Sequence, residues 1–139
     1  MPMIRAQLQA GKTVKFKPRG ISMLPMLRQD VDSVVLSPLP EKLRKYDLPL
    51  YQRDDGQYVL HRIVAVGQTY TCVGDNQFDL EVGVRRDQMI ALVTAYYRGS
   101  CIRSVSNPVH WLYVRARHYS RPLRRRWRQL KARLKRMLK

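Results

Sequence analysis

Residues 48–66 read Leu48-Pro49-Leu50-Tyr51-Gln52-Arg53-Asp54-Asp55-Gly56-Gln57-Tyr58-Val59-Leu60-His61-Arg62-Ile63-Val64-Ala65-Val66. Two strand-forming runs, 48–53 and 57–66, flank Asp54-Asp55-Gly56, whose glycine suits the positive φ of a tight reversal. The stretch predicts an antiparallel β-hairpin. Working outward, the same grammar repeats. Thr13 to Lys17 alternates apolar and basic residues, and Ser33 to Ser37 is a short apolar run stopped by Pro38-Leu39-Pro40. Gly67-Gln68 turns the chain into Thr69 to Val73, and Gly99-Ser100 separates the run Met89–Tyr97 from Cys101–Val105. Residues 74–83 are mostly polar and read as a loop. Met3, Ile4 and Leu8 share a helical face that ends before Gly11. The expectation is a mainly β chain, an antiparallel barrel-type domain led by one short helix.

The composition changes at Asn107, a helix cap followed by Pro108 at the first helical position. Leu123, Trp127, Leu130, Leu134, Met137 and Leu138 then fall on one helical face. Arg124, Arg125, Arg126 and Lys131 lie among the basic residues that fill the rest, and Pro122 is expected to kink or restart the helix. The net charge is +17, and fourteen Lys and Arg with no acid follow Tyr97, so the chain before that point is nearly neutral. This divides the chain into a β-domain, 1–105, and a basic amphipathic helical tail, 106–139. A Leu/Trp stripe against dense cations fits an anionic membrane surface, with packing back onto the β-domain or self-association as the alternatives. Nucleic acid is disfavoured, because the basic residues are confined to the tail and the β-region lacks a stacking motif.

Before the hairpin stands Gly20-Ile21-Ser22-Met23-Leu24-Pro25-Met26-Leu27. A serine on a narrow turn, between a permissive glycine and a φ-restricting proline, suits a nucleophile if a base lies beside it. His61 is the only histidine of the first hundred residues, and Thr71-Cys72-Val73-Gly74-Asp75-Asn76 brings a carboxylate to the end of another strand. Ser22, His61 and Asp75 thus follow in an order that supplies nucleophile, base and orienting acid. Asp79 is the alternative acid.

Gly-x-Ser-Met-x-Pro-x-Leu, then Val-Leu-His-Arg-Ile-Val, then Gly-Asp-Asn resembles the S24/S26 serine peptidase group, which includes type I signal peptidases and self-cleaving repressors. The likeness runs from about Thr13 to about Tyr97. It includes Lys45-Tyr46-Asp47-Leu48-Pro49-Leu50-Tyr51, where Tyr46 replaces a usual glycine. It implies a peptidase-like β-domain and hydrolysis of signal- or leader-like peptides. Histidine in place of the bacterial lysine base resembles the archaeal and endoplasmic-reticulum branch. Gly20, Met23 and Pro25 would border the oxyanion and substrate site, and Gly20 stands where some relatives carry a serine hydroxyl. An unperturbed imidazole titrates near pH ~6.5, so activity is expected to rise through pH ~6 to ~7.

Two cysteines, Cys72 and Cys101, are too few for a disulfide framework and lack metal-site spacing, so packed thiols and no metal or cofactor are expected. No run reaches the ~20 apolar residues of a membrane span, and residues 1–7 lack a secretory core. The expected place is the cytoplasm, peripheral at the inner face of the cell membrane. The partner expected there is a peptide or protein substrate; the sequence leaves the oligomeric state open. Rival readings are a non-catalytic or self-cleaving regulator on the same fold, and a basic nucleic-acid-binding module.

Overall fold

A computed structural model describes residues 2–138. The elements run α1 (Pro2–Gln9), β1 (Val14–Phe16), β2 (Ser33–Ser37), β3 (Pro49–Gln52), β4 (Tyr58–Leu60), β5 (Arg62–Val66), β6 (Tyr70–Val73), β7 (Glu81–Val84), β8 (Met89–Arg98), β9 (Cys101–Ser104) and α2 (Pro108–Met137). The chain is mainly β with antiparallel sheets, a short N-terminal helix and a long C-terminal one. Six strands form one sheet in the order β1-β2-β8-β3-β4, with β9 also on β8; β5-β6-β7 form a second. The expected barrel does not close. The run 57–66 is two strands rather than one, because β4 pairs with β3 while β5 pairs with β6, and the chain passes between sheets at His61.

At its centre the larger sheet has core on both faces, and β3 shows how. Leu50 joins Met23, Met26, Leu27, Val34, Leu36 and Val93 in one core cluster, while Tyr51 joins Ile63, Cys72, Val84 and Met89 in the other. Successive side chains of a strand point to opposite faces, so the two clusters lie on either side of it. On β8, Met89, Ala91 and Val93 are buried in alternation until the register against β2 shifts. A bulge adds one residue there, which is why Tyr96 rather than Ala95 is the next buried position. Cys72 packs as expected; Cys101 is exposed.

The polar stretch after Gly74 holds a strand, β7, that periodicity does not reveal. It is a four-residue edge strand broken by Gly83 at φ +82°. Helix α2 begins as read: Asn107 Oδ1 accepts from the Val109 amide, with Pro108 in the first turn. Pro122 neither stops nor restarts it, since the helix runs on to Met137. The division at residue 105 is one of composition and secondary structure, because packing continues across it. His110, Val114 and Arg121 are buried on one face of α2, and Met1 and Lys139 lie outside the described residues. Among the described residues, no helix is long and apolar enough to cross a membrane.

Burial pushes both His61 and His110 down to about 4. Both are therefore neutral in the folded chain and take up protons on unfolding wherever the pH lies between the folded value and the unfolded ~6.5. Their contribution to stability is complete above pH ~6.5 and is lost as the pH falls through about 4. Urea midpoints measured across that window are expected to drop with a slope approaching two protons, and His110→Gln is expected to flatten it.

Candidate active site

Ser22 sits in a turn-rich loop between β1 and β2, with Gly20 at φ +91° just before it. Leu24 N–H donates to the Ile21 carbonyl and Leu27 N–H to that of Met23, so the loop is coiled rather than extended. Met23, Met26 and Leu27 anchor it in the core, leaving Ser22 half-buried above them. The loop after β6 fastens it from the other side. The Asn76 amide donates to the Ser22 carbonyl at 2.8 Å, and Asn76 Nδ2 to the Ile21 carbonyl at 3.1 Å. Gly74 is pressed against the serine: a Cβ there would lie 2.5 Å from the Ser22 carbonyl oxygen and 3.0 Å from its Cβ. No methyl group fits in that gap.

His61 lies where the chain leaves β4, and with Ser22 it lines a cleft of about 500 Å³. Gly20 and Met23 border the same cleft, and Gln57, Tyr58, Val59 and Leu60 form one wall. Pro25 is not on the cleft; its carbonyl accepts from Arg98 Nη1. Among the described residues no hydrogen bond joins Ser22 Oγ to His61, and the Ser22 amide has no acceptor. The histidine is 6% exposed. Its pKa falls to about 4 because burial penalises the imidazolium, although Glu81 opposes the fall. A neutral ring at ordinary pH is the form that accepts a proton, so the expected midpoint near 6.5 moves down by burial.

Neither proposed acid orients His61. Asp75 is 1% exposed and belongs to Arg62: its Oδ1 accepts from Nε at 2.9 Å and its Oδ2 from Nη2 at 3.0 Å. Tyr113 Oη donates to Oδ2 at 2.8 Å and Arg117 Nη2 to the Asp75 carbonyl at 3.0 Å. The Asp75 amide faces Met23 Sδ at 3.4 Å, and Arg62 Nη2 faces Met26 Sδ at 3.3 Å. Burial alone would raise this carboxyl's pKa; the Arg62 charge and hydrogen bonds hold it below the ordinary carboxylate range. Asp75 therefore knits β5, the serine loop and α2 together. Asp79 has a 97% exposed side chain and lies 3.9 Å from Arg125, too open to fix a ring.

The group that does face His61 is a residue the sequence reading passed over. Tyr51 Oη lies 3.5 Å from His61 Nδ1 and donates to Glu81 Oε2 at 2.7 Å. Arg53 pairs with Glu81 at 2.7 Å. Burial would raise the Glu81 pKa, but the bonds from Arg53 and Tyr51 keep it ionised below its usual value. The only signal in the sequence was an acid beside valines in 81–84, and Gly83 masks the strand that carries it.

The tail residues read as membrane-binding lie beyond the docked part of α2. Leu123 is 69% exposed, Trp127 57%, Leu130 46% and Leu134 50%, with Arg125, Arg126 and Lys131 exposed beside them. Arg124 is half-buried; it and Arg128 lie over the Phe78 ring.

No protein-family model, curated protein or solved structure matches this chain. The likeness to the S24/S26 group therefore rests on the motifs alone.

Asp75→Asn is expected to cost about 3–5 kcal/mol in urea unfolding, because it leaves Arg62 buried and unpaired. Asp79→Asn is expected to change stability by no more than ~0.5 kcal/mol. Equal effects would remove the structural role assigned to Asp75.

Proposed function

We propose that this chain is a serine peptidase of the S24/S26 kind, resembling the histidine-base branch of signal peptidases, that cuts extended signal- or leader-like peptides. The observation that carries the reading is the shared cleft: Ser22 and His61, distant in sequence, open onto the same space. A second observation supports it. Tyr46 adopts φ +77°, a left-handed conformation that favours glycine, at the position where the family motif has glycine.

In this reading Ser22 Oγ attacks the scissile carbonyl while His61 Nε2 takes its proton. The free Ser22 amide donates to the developing oxyanion, an interaction worth about 3 kcal/mol in such sites. His61 then passes the proton to the leaving amine, and water, activated by the same nitrogen, releases the acyl group. Contact between Oγ and Nε2 closes when substrate fills the cleft, as catalytic hydrogen bonds commonly do.

The exposed apolar stripe of α2 and its cations support placement at the inner face of the cell membrane on anionic lipid. Each basic residue near such a surface contributes ~1 kcal/mol. Truncating the whole tail is a poor test, because Tyr113 and Arg117 hold Asp75. Substituting exposed Trp127, Leu130 and Leu134 leaves that docking intact.

Two measurements test the reading. A fluorophosphonate probe is expected to label Ser22 at a steady rate across pH ~6 to ~8, falling to half near the His61 value of about 4. Ser22→Ala and His61→Ala are expected to abolish labelling and cleavage of leader-like peptides; wild-type labelling of His61→Ala would remove the base. The full chain is also expected to co-sediment with phosphatidylglycerol vesicles, and Trp127→Ala/Leu130→Ala/Leu134→Ala to lose that binding. Unchanged binding by the triple variant, or stronger salt-sensitive binding to duplex DNA, would remove the membrane assignment.

A further inference from the structure

We propose that Tyr51 and Glu81 position His61: the phenol bridges imidazole and carboxylate, holding the ring as its Nδ1–H tautomer with Nε2 toward the cleft. This rests on the Ser22–His61 reading, with the place of the expected aspartate taken by a tyrosine and a glutamate.

A phenol carries one proton. Tyr51 Oη spends it on Glu81 Oε2 at 2.7 Å, a short bond to an ionised acceptor. Toward His61 Nδ1, 3.5 Å away, the same oxygen has only lone pairs to offer. Nδ1 must therefore be the donor, and the neutral ring's second nitrogen, Nε2, is left without a proton. Among the described residues the His61 side chain makes its one hydrogen-bond contact through Nδ1 and none through Nε2, and the residue lines the cleft that holds Ser22. The bridge is itself held from behind. Arg53 donates from Nε to Glu81 Oε1 at 2.7 Å, and Tyr51 is wholly buried on β3. The two rings meet nearly edge-on, their planes at 72° and centroids 6.4 Å apart, which limits rotation of the imidazole.

Proton movement then balances without transfer to the carboxylate. The Ser22 hydroxyl proton goes to Nε2 as the Oγ–carbon bond forms. Nδ1–H continues to donate to Tyr51 Oη, and Tyr51 Oη–H to Glu81. The imidazolium positive charge is met by the Glu81 negative charge across the phenol. The charged groups acting on His61 are Glu81 and Asp75, which favour the imidazolium, and Arg53, which opposes it. Of the two acids, only Glu81 is connected to the ring by hydrogen bonds.

The test uses full-length protein with ¹⁵N-labelled histidine. Its three histidines keep a long-range ¹H–¹⁵N correlation spectrum assignable. At neutral pH the wild-type His61 is expected to show the Nδ1–H tautomer. Tyr51→Phe keeps the buried ring and removes only the bridge. It is expected to move His61 toward Nε2–H and to slow fluorophosphonate labelling of Ser22 on the order of ten- to a hundredfold. Glu81→Gln keeps an acceptor for the phenol, so the tautomer is expected to persist while labelling slows and its acid limb shifts to lower pH. An Nε2–H tautomer in the wild type, or a wild-type tautomer and rate in Tyr51→Phe, would overturn the proposal. Absence of labelling in the wild type alongside the expected spectra would instead overturn the peptidase reading and leave the bridge standing.

Discussion

The buried ion pair between Arg62 and Asp75 is the constraint on which the rest of this molecule depends. Taking two charges out of water costs several kcal/mol for each, and a pair survives only when every remaining donor and acceptor finds a partner. Here the partners come from separate parts of the chain. Tyr113 and Arg117 reach in from α2, the Tyr46 carbonyl accepts from Arg62 Nη1, and two methionine sulfurs of the serine loop close the remaining side. The basic helix is therefore no loose appendage at its start. Its first turns supply hydrogen bonds that the β-domain cannot supply for itself.

That arrangement positions the candidate site without taking part in it. Arg62 and His61 are adjacent, so fixing one side chain in the interior sends the other toward the opposite side of the strand, to Tyr51 and the cleft. The same logic holds for Asp75 and Asn76. While the aspartate is held inside, the asparagine amide and side chain grip the Ser22 loop. The acid that chain order nominates as the third catalytic member is thus the post to which both the Ser22 loop and His61 are tied.

Much of the architecture was legible locally. The hairpin around Asp54-Asp55-Gly56, the short strand Ser33–Ser37 and the cap at Asn107 follow from turn chemistry, alternation and capping, each decided within a few residues. Local rules failed where a choice depended on something distant. The run 57–66 reads as one strand, yet it is shared between two sheets. Residues 81–83 read as the end of a loop, yet with Val84 they form an edge strand because β6 offers a free side for pairing. Pro122 reads as a kink or a restart, but the helix does not restart there and runs on through it to Met137.

The candidate site divides in the same way. Composition and spacing alone determined that a serine on a tight turn, a histidine in an apolar run and a basic amphipathic helix exist, because each is a property of neighbours along the chain. Tertiary structure decided that Ser22 and His61 share one cleft, that Asp75 serves Arg62, and that Glu81 reaches the histidine through Tyr51. Those are facts about which surfaces meet when two sheets stack. A carboxylate's partner is set by burial and by the nearest available donor, and neither quantity can be read from its position in the sequence.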